Sequence, residues 1–438
     1  MKIVIMAGGK GTRIAELNSQ VPKPMIPIDG KPILEYQIDT LRRQGYKEFI
    51  LVIGHLGHVI TDYFNDGSKW GVHIQYIMEE SPLGTAGALY FLKDIITEEF
   101  LLLNGDIIFD VDIERFRNCH LNRKTMATIL THPNSHPYDS ALIAADSDNI
   151  VTGWFHKEDP LRRAAFDIGT GGAQEDSSPS ACTSHWFKNR VNAGLHMLSP
   201  EIFRFFPELR KRDLDRDILK PLISHRELSI YDSPEYIKDM GTPERFYSVL
   251  QDIRCGKVQA RNLMNRQKAV FLDRDGTLNT YQGFLTDIHN FHLTDGAAQA
   301  VRRINDSGFL AIVITNQPVI ARGELSPEDL LQIHNKMETL LGIEGAYLDD
   351  IFFCPHHPHK GFQGERAEYK IDCPCRKPKP GMLFQAAEKY NIDLSASWMV
   401  GDSDSDIKAG QAAGCRTVLL GDGLTLPRAV DCIMQSGY

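Results

Sequence analysis

Short runs of Ile, Val and Leu alternate with amphipathic stretches through most of this sequence. The runs occupy residues 3–6, 49–54 and 100–106 and, after a break, residues 269–273 and 309–316. Apolar strands separated by helices predict parallel sheets that are covered by helices on both faces. We therefore expect an α/β fold with two doubly wound domains, whose ligands bind at the carboxyl ends of the strands.

The length of 438 residues exceeds what one hydrophobic core usually supports, and the pattern indicates where the chain divides. Residues 161–189 are polar and rich in Gly and Ser, and we predict no regular secondary structure there. Residues 242–267 read as helix and end just before a new predicted strand. The sequence therefore predicts a first domain over residues 1–250, a linker helix over 251–267 and a second domain over 268–438.

Composition and charge argue against several classes of protein. The net charge is −9 without a basic block, which argues against nucleic acid as the main partner. No apolar run approaches the roughly 20 residues of a membrane span, and we expect neither a membrane segment nor a signal peptide. Eight cysteines are few for this length, and three of them crowd at Cys354, Cys373 and Cys375 beside histidines. This usage indicates metal ligation in the cytoplasm rather than a disulfide framework.

The first predicted strand leads into a glycine-rich turn that suits a nucleoside triphosphate. Glycines let backbone N–H groups approach phosphate oxygens without a Cβ in the way. A plain structural turn explains many such sequences, but the cations Arg13 and Lys23 nearby would stabilise charge at a reacting phosphorus. We expect contacts to the nucleotide from Ala7, Gly8, Gly9, Gly11 and Thr12.

The pair of motifs GGxGTR and PKP resembles the sugar-phosphate nucleotidyltransferase family over about residues 1–250. The resemblance implies a Rossmann-like fold in which Arg13 and Lys23 contact the triphosphate and assist catalysis. The segment LGTAGAL, which starts at Leu83, resembles the family's base-binding segment in the form typical of guanylyltransferases. It implies GTP as the nucleotide, with contacts from Gly84 and Thr85.

Two carboxylates and a short Asn-Ala-Gly motif complete the first predicted site. Asp106 ends a strand and Asp239 lies far away in sequence, and the family position implies that they share one Mg²⁺. The alternative is that Asp106 caps a helix and Asp239 stabilises a turn. By resemblance, Asn192 and Gly194 contact the sugar, and Lys157 contacts the sugar phosphate.

A second group of polar residues begins where the strand at residues 269–272 ends. Asp273 and Asp275 follow that strand directly, and Gly-Thr comes next. An Asp-x-Asp pair is common by chance, but here further polar residues follow later strands in a fixed order. They are Thr315, Asn316, Arg376, Lys377 and Asp402.

This order of motifs resembles the haloacid dehalogenase (HAD) superfamily of phosphatases over about residues 269–420. The resemblance implies that Asp273 attacks phosphorus to form an aspartyl phosphate, while Asp275 protonates the leaving oxygen and later activates water. It also implies Mg²⁺ bound by Asp273, Asp275 and Asp402.

Other side chains of this second site would hold the substrate. Thr315 and Lys377 would bind the phosphoryl oxygens and stabilise their charge. Further substrate contacts are expected from Asn316 and Arg376. One of the two remaining acids, Asp404 and Asp406, either orients Lys377 or faces solvent.

Three cysteines and one histidine form a set that suits a structural zinc ion. Three thiolates and an imidazole close a tetrahedral site, and the polar stretch between them could not otherwise hold a fixed shape. The expected ligands are Cys354, His356, Cys373 and Cys375, with His357 and His359 as competing candidates.

The motif CPHHP…CxCRKPKPGM resembles heptose-1,7-bisphosphate phosphatases, with histidinol phosphatases second. Together the resemblances imply a bifunctional cytoplasmic enzyme that acts on D-glycero-D-manno-heptose 1,7-bisphosphate. Removal of the 7-phosphate and transfer of GMP from GTP would give GDP-D-glycero-α-D-manno-heptose. One alternative is a mannose-1-phosphate guanylyltransferase fused to another small-molecule phosphatase, and another is an inactive sugar-nucleotide sensor.

Overall fold

The structure of the protein, a computed structural model, describes residues 1–9, 21–169 and 186–436. The chain divides into two compact units, each built from three stretches of sequence. The first unit comprises Met1–His132, Ile143–Trp154 and Asn192–Asn262, and the second comprises Pro133–Leu142, Phe155–Val191 and Leu263–Tyr438. The division differs from the sequence-based boundaries, which place residues 133–142 and 155–191 in the first domain.

The strands and helices up to residue 262 are as follows. The strands are β1 Lys2–Met6, β2 Pro27–Ile28, β3 Lys31–Pro32, β4 Glu48–Ile53, β5 His73–Met78, β6 Phe100–Asn104, β7 Ile107–Asp110, β8 Ala127–His132, β9 Leu142–Ala145, β10 Val151–Phe155, β11 Val191–Leu198, β12 Leu228–Asp232 and β13 Tyr236–Asp239. The helices are α1 Ile33–Arg43, α2 Gly57–Phe64, α3 Ile113–Arg123, α4 Pro160–Gly169, α5 Lys220–Ser224, α6 Pro243–Arg254 and α7 Lys257–Ala260.

The elements after residue 262 alternate between strand and helix. The strands are β14 Ala269–Leu272, β15 Leu310–Asn316, β16 Asp350–Cys354, β17 Trp398–Gly401 and β18 Arg416–Leu419. The helices are α8 Ala297–Ser307, α9 Pro327–Ile343, α10 Gly381–Tyr390, α11 Asp404–Ala413 and α12 Leu426–Ser436.

The sheet of the first unit is parallel at its centre. β1 pairs in parallel with β4 on one side and with β6 on the other, so that Ile5 lies between Leu51 and Leu103. These side chains pack with Leu34 of α1 and Phe116 of α3 in one apolar core. Because the strand order reverses at β1, the carboxyl ends of β1 and β6 border a crevice where ligands bind in such folds.

The sheet of the second unit has the order β16-β15-β14-β17-β18, and its neighbouring strands are parallel. One face of β14 packs Val270 against Val301 of α8. The other face packs Phe271 against Leu383 of α10 and Ala409 of α11. The strand order reverses between β14 and β17, so their carboxyl ends again border a crevice. The prediction of an α/β chain with two doubly wound parts is confirmed.

The prediction of no regular structure from residue 161 is wrong for residues 161–169, which belong to α4. The Asp159 side chain accepts the Leu161 N–H at 3.0 Å, and Arg162 and Ala165, three residues apart, are buried. Tertiary packing therefore stabilises a helix too short to stand out in the sequence. In the rest of that stretch, residues 170–185 lie outside the described residues, and residues 186–189 form no helix or strand.

The helix predicted over residues 242–267 is two helices, α6 and α7. Gly256 lies between them with φ of 75°, a left-handed conformation that ends the first helix. No described helix of the chain is both long and apolar enough to cross a membrane.

Candidate active sites and a candidate metal centre

A cavity of about 830 Å³ lies in the first unit beside the carboxyl ends of β1 and β6. This size suits a small-molecule ligand, for which sites of roughly 300–1,000 Å³ are usual. Predicted nucleotide and metal residues line it, namely Gly8, Gly9, Lys23, Gly84, Thr85 and Asp106. Ala7 is buried, and its N–H donates to the Val52 carbonyl at 2.8 Å, so this amide is engaged within the sheet. Gly11, Thr12 and Arg13 lie outside the described residues.

Lys23 supplies a positive charge to this cavity. It begins a short 3-10 helix, Lys23–Met25, with proline on both sides of it. Its Nζ lies 2.5 Å from the Asp106 Oδ2, and its side chain is only 14% exposed. Lys23 therefore places a largely buried ammonium group in the lining of the cavity.

Asp239 approaches Asp106 through the backbone. β13 is antiparallel to β7, and the N–H of Met240 donates to the Asp106 carbonyl at 3.0 Å. Burial would raise the pKa of Asp239, but the charge and hydrogen bonds of Arg245, at 2.8 and 2.9 Å, lower it below its usual value. The charge of Lys23 acts on this pKa in the same direction.

The loop that starts at Leu83 is held in shape by backbone pairing. The Leu83 carbonyl accepts the N–H of Arg212 at 2.9 Å, and the Arg212 carbonyl accepts the N–H of Ala86 at 3.1 Å. Gly84 has φ of 81°, and a Cβ there would overlap the Arg212 carbonyl, so this position requires glycine. The Thr85 hydroxyl accepts the N–H of Leu214, two residues after Arg212, at 2.7 Å.

The residues that were predicted to contact the sugar and its phosphate belong to different units. The Asn192 Oδ1 accepts the Gly194 N–H at 3.1 Å, and a Cβ on Gly194 would lie 2.8 Å from the Nδ2 of Asn104, which lines the cavity. Asn192 and Gly194 are therefore beside the site. Lys157 is exposed, in the turn before α4 in the second unit.

Sequence reasoning missed several residues that line the cavity, among them Glu79 and Lys211. The Glu79 Oε1 accepts the Leu83 N–H at 3.3 Å, and burial raises the pKa of this carboxyl above its usual value. Glu79 directly follows β5, so the rule that ligands gather at strand ends could have found it. Lys211 is exposed and has no comparable signal in the sequence.

In the second unit Asp273 follows β14 and faces a buried lysine. The Lys377 Nζ lies 2.7 Å from the Asp273 Oδ1 and 2.6 Å from the Asp406 Oδ1, and it donates to the Ile314 carbonyl at 2.8 Å. Burial raises the pKa of Asp273 to about 6, although the charge of Lys377 opposes this shift and that of Asp406 adds to it. Lys377 therefore lies between two buried acids.

Asp275 is held by three neighbours, and sequence reasoning missed the contribution of Arg274 and Gln317. Arg274 is fully buried, and its Nη2 contacts both Asp275 oxygens at 2.7 and 2.8 Å. The Gln317 Nε2 donates to Asp275 at 2.8 Å and to the Thr315 Oγ1 at 2.9 Å, and the Asn279 Nδ2 donates to Asp275 at 3.2 Å. These bonds fix the carboxylate that was predicted to act as acid and base.

Asp273, Asp402 and Asp406 each place one carboxylate oxygen within 4.8 Å of the others, so the three could hold a cation. Gly276, with φ of 83°, leaves the space that the Asp402 carboxylate occupies. Of the two uncertain acids, Asp406 is the one that orients Lys377. Asp404 is exposed and pairs with Lys408 on the surface of α11.

Thr315, Asn316 and Arg376 lie around the same crevice. Thr315, near the end of β15, is buried, and the Asn316 side chain exchanges hydrogen bonds with the Lys377 backbone at 3.0 and 3.1 Å. The Arg376 Nη1 donates to the His356 carbonyl at 3.1 Å. Arg376 is thereby tied to the metal loop described next.

Cys354, His356, Cys373 and Cys375 converge on one point. The distances between their sulfur and Nδ1 atoms run from 3.0 Å for Cys375–Cys373 to 3.7 Å for Cys354–His356. A tetrahedral ion with roughly 2.3 Å bonds to sulfur has edges of about 3.8 Å, so the cluster would expand by under about 1 Å to hold one. His357 instead lies 3.4 Å from the His359 carbonyl through its Nδ1. These four side chains could therefore hold a metal ion.

Comparison with known proteins assigns both halves. The Nucleotidyl transferase family profile matches residues 2–255, which is more than half of the chain. The chain belongs to the nucleotidyl transferase family. The HAD-hydrolase-like profile matches residues 374–434.

This nucleotidyl transferase also resembles curated phosphatases. It is 45% identical over 152 residues to D-glycero-beta-D-manno-heptose-1,7-bisphosphate 7-phosphatase of Yersinia pestis, covering 35% of the chain and 79% of that relative. It is 40% identical over 155 residues to D-glycero-alpha-D-manno-heptose-1,7-bisphosphate 7-phosphatase of Burkholderia mallei, covering 35% of the chain and 80% of that relative. This part of the chain belongs to the same family as these phosphatases, and the protein is a bifunctional enzyme. We call the two units the transferase unit and the phosphatase unit.

Two solved structures resemble one half each. HddC from Yersinia pseudotuberculosis is 24% identical with a TM-score of 0.47, covering 57% of the nucleotidyl transferase chain and 99% of HddC. D,D-heptose 1,7-bisphosphate phosphatase from B. bronchiseptica, complexed with magnesium and phosphate, is 31% identical with a TM-score of 0.34, covering 39% of this chain and 99% of that one.

Proposed function

We propose that the enzyme makes GDP-D-glycero-α-D-manno-heptose in two successive steps. The phosphatase unit removes the 7-phosphate of D-glycero-D-manno-heptose 1,7-bisphosphate, and the transferase unit joins the remaining 1-phosphate to GMP from GTP and releases pyrophosphate. The observation that carries this proposal is the 45% identity to a heptose-bisphosphate 7-phosphatase in a chain that is also a nucleotidyl transferase. Removing the 7-phosphate yields the sugar 1-phosphate that nucleotidyl transfer consumes.

The geometry around Asp273 supports phosphate hydrolysis in two displacements. Asp273 attacks phosphorus, and the sugar oxygen leaves with a proton from Asp275, which Arg274 and Gln317 hold in place. Water then cleaves the aspartyl phosphate after giving a proton to Asp275. Lys377, fixed by Asp406, neutralises charge on the phosphoryl oxygens. Thr315, Asn316 and Arg376 complete the substrate contacts.

We propose that each active site uses Mg²⁺ and that the cysteine cluster holds a structural Zn²⁺. Carboxylate oxygens are the ligands Mg²⁺ prefers, and Asp273 and Asp402 supply them with the backbone carbonyl of Asp275. When bound, Mg²⁺ offsets the repulsion between nucleophile and phosphate. Thiolates and imidazole suit Zn²⁺. Because such thiolates must stay reduced, they also support a cytoplasmic location.

In the transferase unit, Lys23 and the two acids Asp106 and Asp239 support an in-line displacement at the α-phosphate of the nucleotide. The sugar 1-phosphate oxygen attacks, and pyrophosphate leaves. Lys23 stabilises the charge that gathers on the phosphorus oxygens, and a Mg²⁺ ion held by the two acids would orient the two phosphates. Gly8 and Gly9 would bring backbone N–H groups beside the triphosphate, and we extend nucleotide contacts to Gly11, Thr12 and Arg13 by resemblance alone. Asn192 and Gly194 would contact the sugar, and we extend this role to Lys157 by resemblance alone.

Guanine is favoured by the groups that line the cavity near Gly84. Guanine presents two donors, N1–H and N2–H₂, on one edge beside the O6 acceptor, and the Glu79 carboxylate, when ionised, accepts hydrogen bonds at both oxygens and donates none. The loop from Leu83 to Gly87 adds backbone groups without bulky side chains. A base with a different edge would leave these buried groups unpaired, at about 1–3 kcal/mol each.

An assay separates this proposal from the alternative, a mannose-1-phosphate guanylyltransferase fused to an unrelated phosphatase. The enzyme is incubated with the α or β anomer of heptose 1,7-bisphosphate and each common NTP, and products are identified by mass spectrometry. We expect GDP-heptose from the α anomer and GTP. Turnover of mannose 1-phosphate without turnover of heptose 1-phosphate would contradict the proposal. No turnover by either unit would favour the sensor alternative.

A further inference from the structure

The stretch that leads into β11 is held by α9, a helix of the phosphatase unit. The Trp186 N–H donates to the Gln332 Oε1 at 3.1 Å, and the Trp186 carbonyl accepts the Asn335 Nδ2 at 3.1 Å. One residue later, the Phe187 carbonyl accepts the Thr339 hydroxyl at 3.4 Å. Side chains three and four residues apart share one side of a helix, so α9 presents a continuous row of partners to this stretch.

A buried ion pair ends this row. Arg190 and Glu338 are 0% and 1% exposed, and the Arg190 Nη1 lies 3.2 Å from the Glu338 Oε1. The Arg190 Nη2 donates to the Asp349 carbonyl at 2.8 Å, while the Glu338 Oε2 accepts the Asn189 N–H at 3.2 Å. Both charges are thus desolvated and are satisfied in one geometry.

A buried ion pair of this kind fixes geometry more than it adds stability. Replacing such a pair by packed apolar side chains often leaves a protein equally stable or more stable. The Arg190 guanidinium also fits its partners directionally, because its N–H groups point in fixed directions toward the carboxylate and the Asp349 carbonyl. The orientation of the chain at Arg190 is therefore tightly determined.

β11 begins directly after Arg190, at Val191, and its second residue is Asn192. Gly194 follows in the same strand, beside Asn104 of the cavity. Only Val191 separates Arg190 from Asn192, and no turn lies between them.

We propose that Arg190 and Glu338 are positioning residues for sugar-phosphate binding by the transferase unit, acting through Asn192. The pair thereby sets the affinity of that site for its sugar. The inference rests on the proposed function for the contact between Asn192 and the sugar and for the identity of that sugar. It requires no catalytic role for either residue.

The test uses the full chain and two variants. Glu338→Gln keeps the shape of the side chain but leaves Arg190 charged without its partner, whereas the double variant Arg190→Gln/Glu338→Gln also removes that charge. Glu328→Gln, an exposed glutamate on the same helix, is the matched control. For each protein we would measure kcat, the KM for heptose 1-phosphate, the KM for GTP and the midpoint of thermal unfolding.

We expect both variants to raise the KM for the sugar phosphate by at least about fivefold and to leave the KM for GTP unchanged. The reason is that a misplaced binding group weakens the binding of only the substrate that it contacts. The double variant regains thermal stability but keeps the raised KM. A purely structural role predicts instead that kcat falls with the folded fraction and that KM returns with stability. An unchanged KM for the sugar phosphate, or an equal rise in the KM for GTP, would overturn the inference.

The wild-type enzyme separates this inference from the proposed function. If wild type turns over mannose 1-phosphate but not heptose 1-phosphate, the proposed substrate is wrong, and the same comparison of KM values is made with mannose 1-phosphate. The positioning role then stands or falls on that comparison.

Discussion

Replacing the nucleophile, Asp273→Asn, should abolish phosphate release and at the same time stabilise the protein in buffer without Mg²⁺. Asp273 is 8% exposed, and burial raises its pKa to about 6 from the ordinary value of 3.8. The folded state therefore binds a proton more tightly than the unfolded state does. Above pH 6 the carboxylate is ionised in both states, and its burial costs folding free energy that a neutral asparagine of the same shape avoids.

The size of this cost follows from the shift of about two pKa units. Each unit corresponds to about 1.4 kcal/mol, so the gain of the variant at pH 7 has an upper bound of about 3 kcal/mol. The variant also removes one of the two carboxylate partners of buried Lys377, which brings the gain below that bound. As the pH falls from about 6 to about 4, the folded protein takes up its proton before the unfolded chain does, and wild type regains stability. The difference between variant and wild type should therefore disappear near pH 4.

Chemical denaturation at pH 7 and at pH 4, without Mg²⁺, measures this difference. Asp404→Asn is the matched control, because Asp404 is exposed and its surface pair with Lys408 should contribute under about 0.5 kcal/mol. Added Mg²⁺ should stabilise wild type more than Asp273→Asn, since the variant offers the ion a neutral amide oxygen in place of a charged carboxylate oxygen. Nucleotidyl transfer from supplied heptose 1-phosphate should continue at the wild-type rate.

The reasoning is refuted if Asp273→Asn is no more stable than Asp404→Asn at pH 7, or if the stability difference is the same at pH 4. Loss of nucleotidyl transfer in a folded Asp273→Asn variant would separately refute the chemical independence of the two sites.

Three further predictions concern the other groups. Cys373→Ser should lower zinc content and phosphatase activity together, and elemental analysis showing no zinc in the pure wild-type protein would contradict the structural zinc site. Lys23→Ala should reduce kcat for nucleotidyl transfer by at least about 100-fold while phosphate release is unchanged, as steady-state assays of both reactions would show. The kcat/KM should be highest for GTP among the common NTPs, and Glu79→Gln should reduce the ratio of kcat/KM for GTP to that for the other NTPs. Comparable or better turnover with ATP, CTP, UTP or dTTP would contradict the assignment of a GDP-sugar product but not that of a nucleotidyl transferase.

The sequence predicted the sheets well because their strands are apolar on both faces. The runs at residues 3–6 and 269–273 became β1 and β14, at the centres of the two sheets. Polar residues within two positions of the ends of such strands, Asp106, Asp273 and Asp402, were therefore found in the sequence and lie at the crevices. The local sequence pattern was sufficient to find these residues because each one lies close to the end of a buried, apolar strand.

Other side chains could not be predicted because tertiary contacts decide their roles. Gln317 follows the motif residues in sequence but matters only because it bridges Asp275 and Thr315. Lys211 lies in an irregular segment whose backbone pairing to Leu83 is not encoded in a local pattern. The buried ion pair of Arg190 joins residues 148 positions apart in sequence, and neither partner belongs to a motif.

We expect the two reactions to be chemically independent. Lys23 lies against Asp106 and Lys377 lies against Asp273, so removing the nucleophile Asp273 should leave the charges around Lys23 unchanged. Yet residues 155–191, which fall within the nucleotidyl transferase match, belong to the compact phosphatase unit and lead directly into β11. Variants of Asp273 should therefore spare nucleotidyl transfer, whereas variants of Glu338, which perform no chemistry, should change its affinity for sugar.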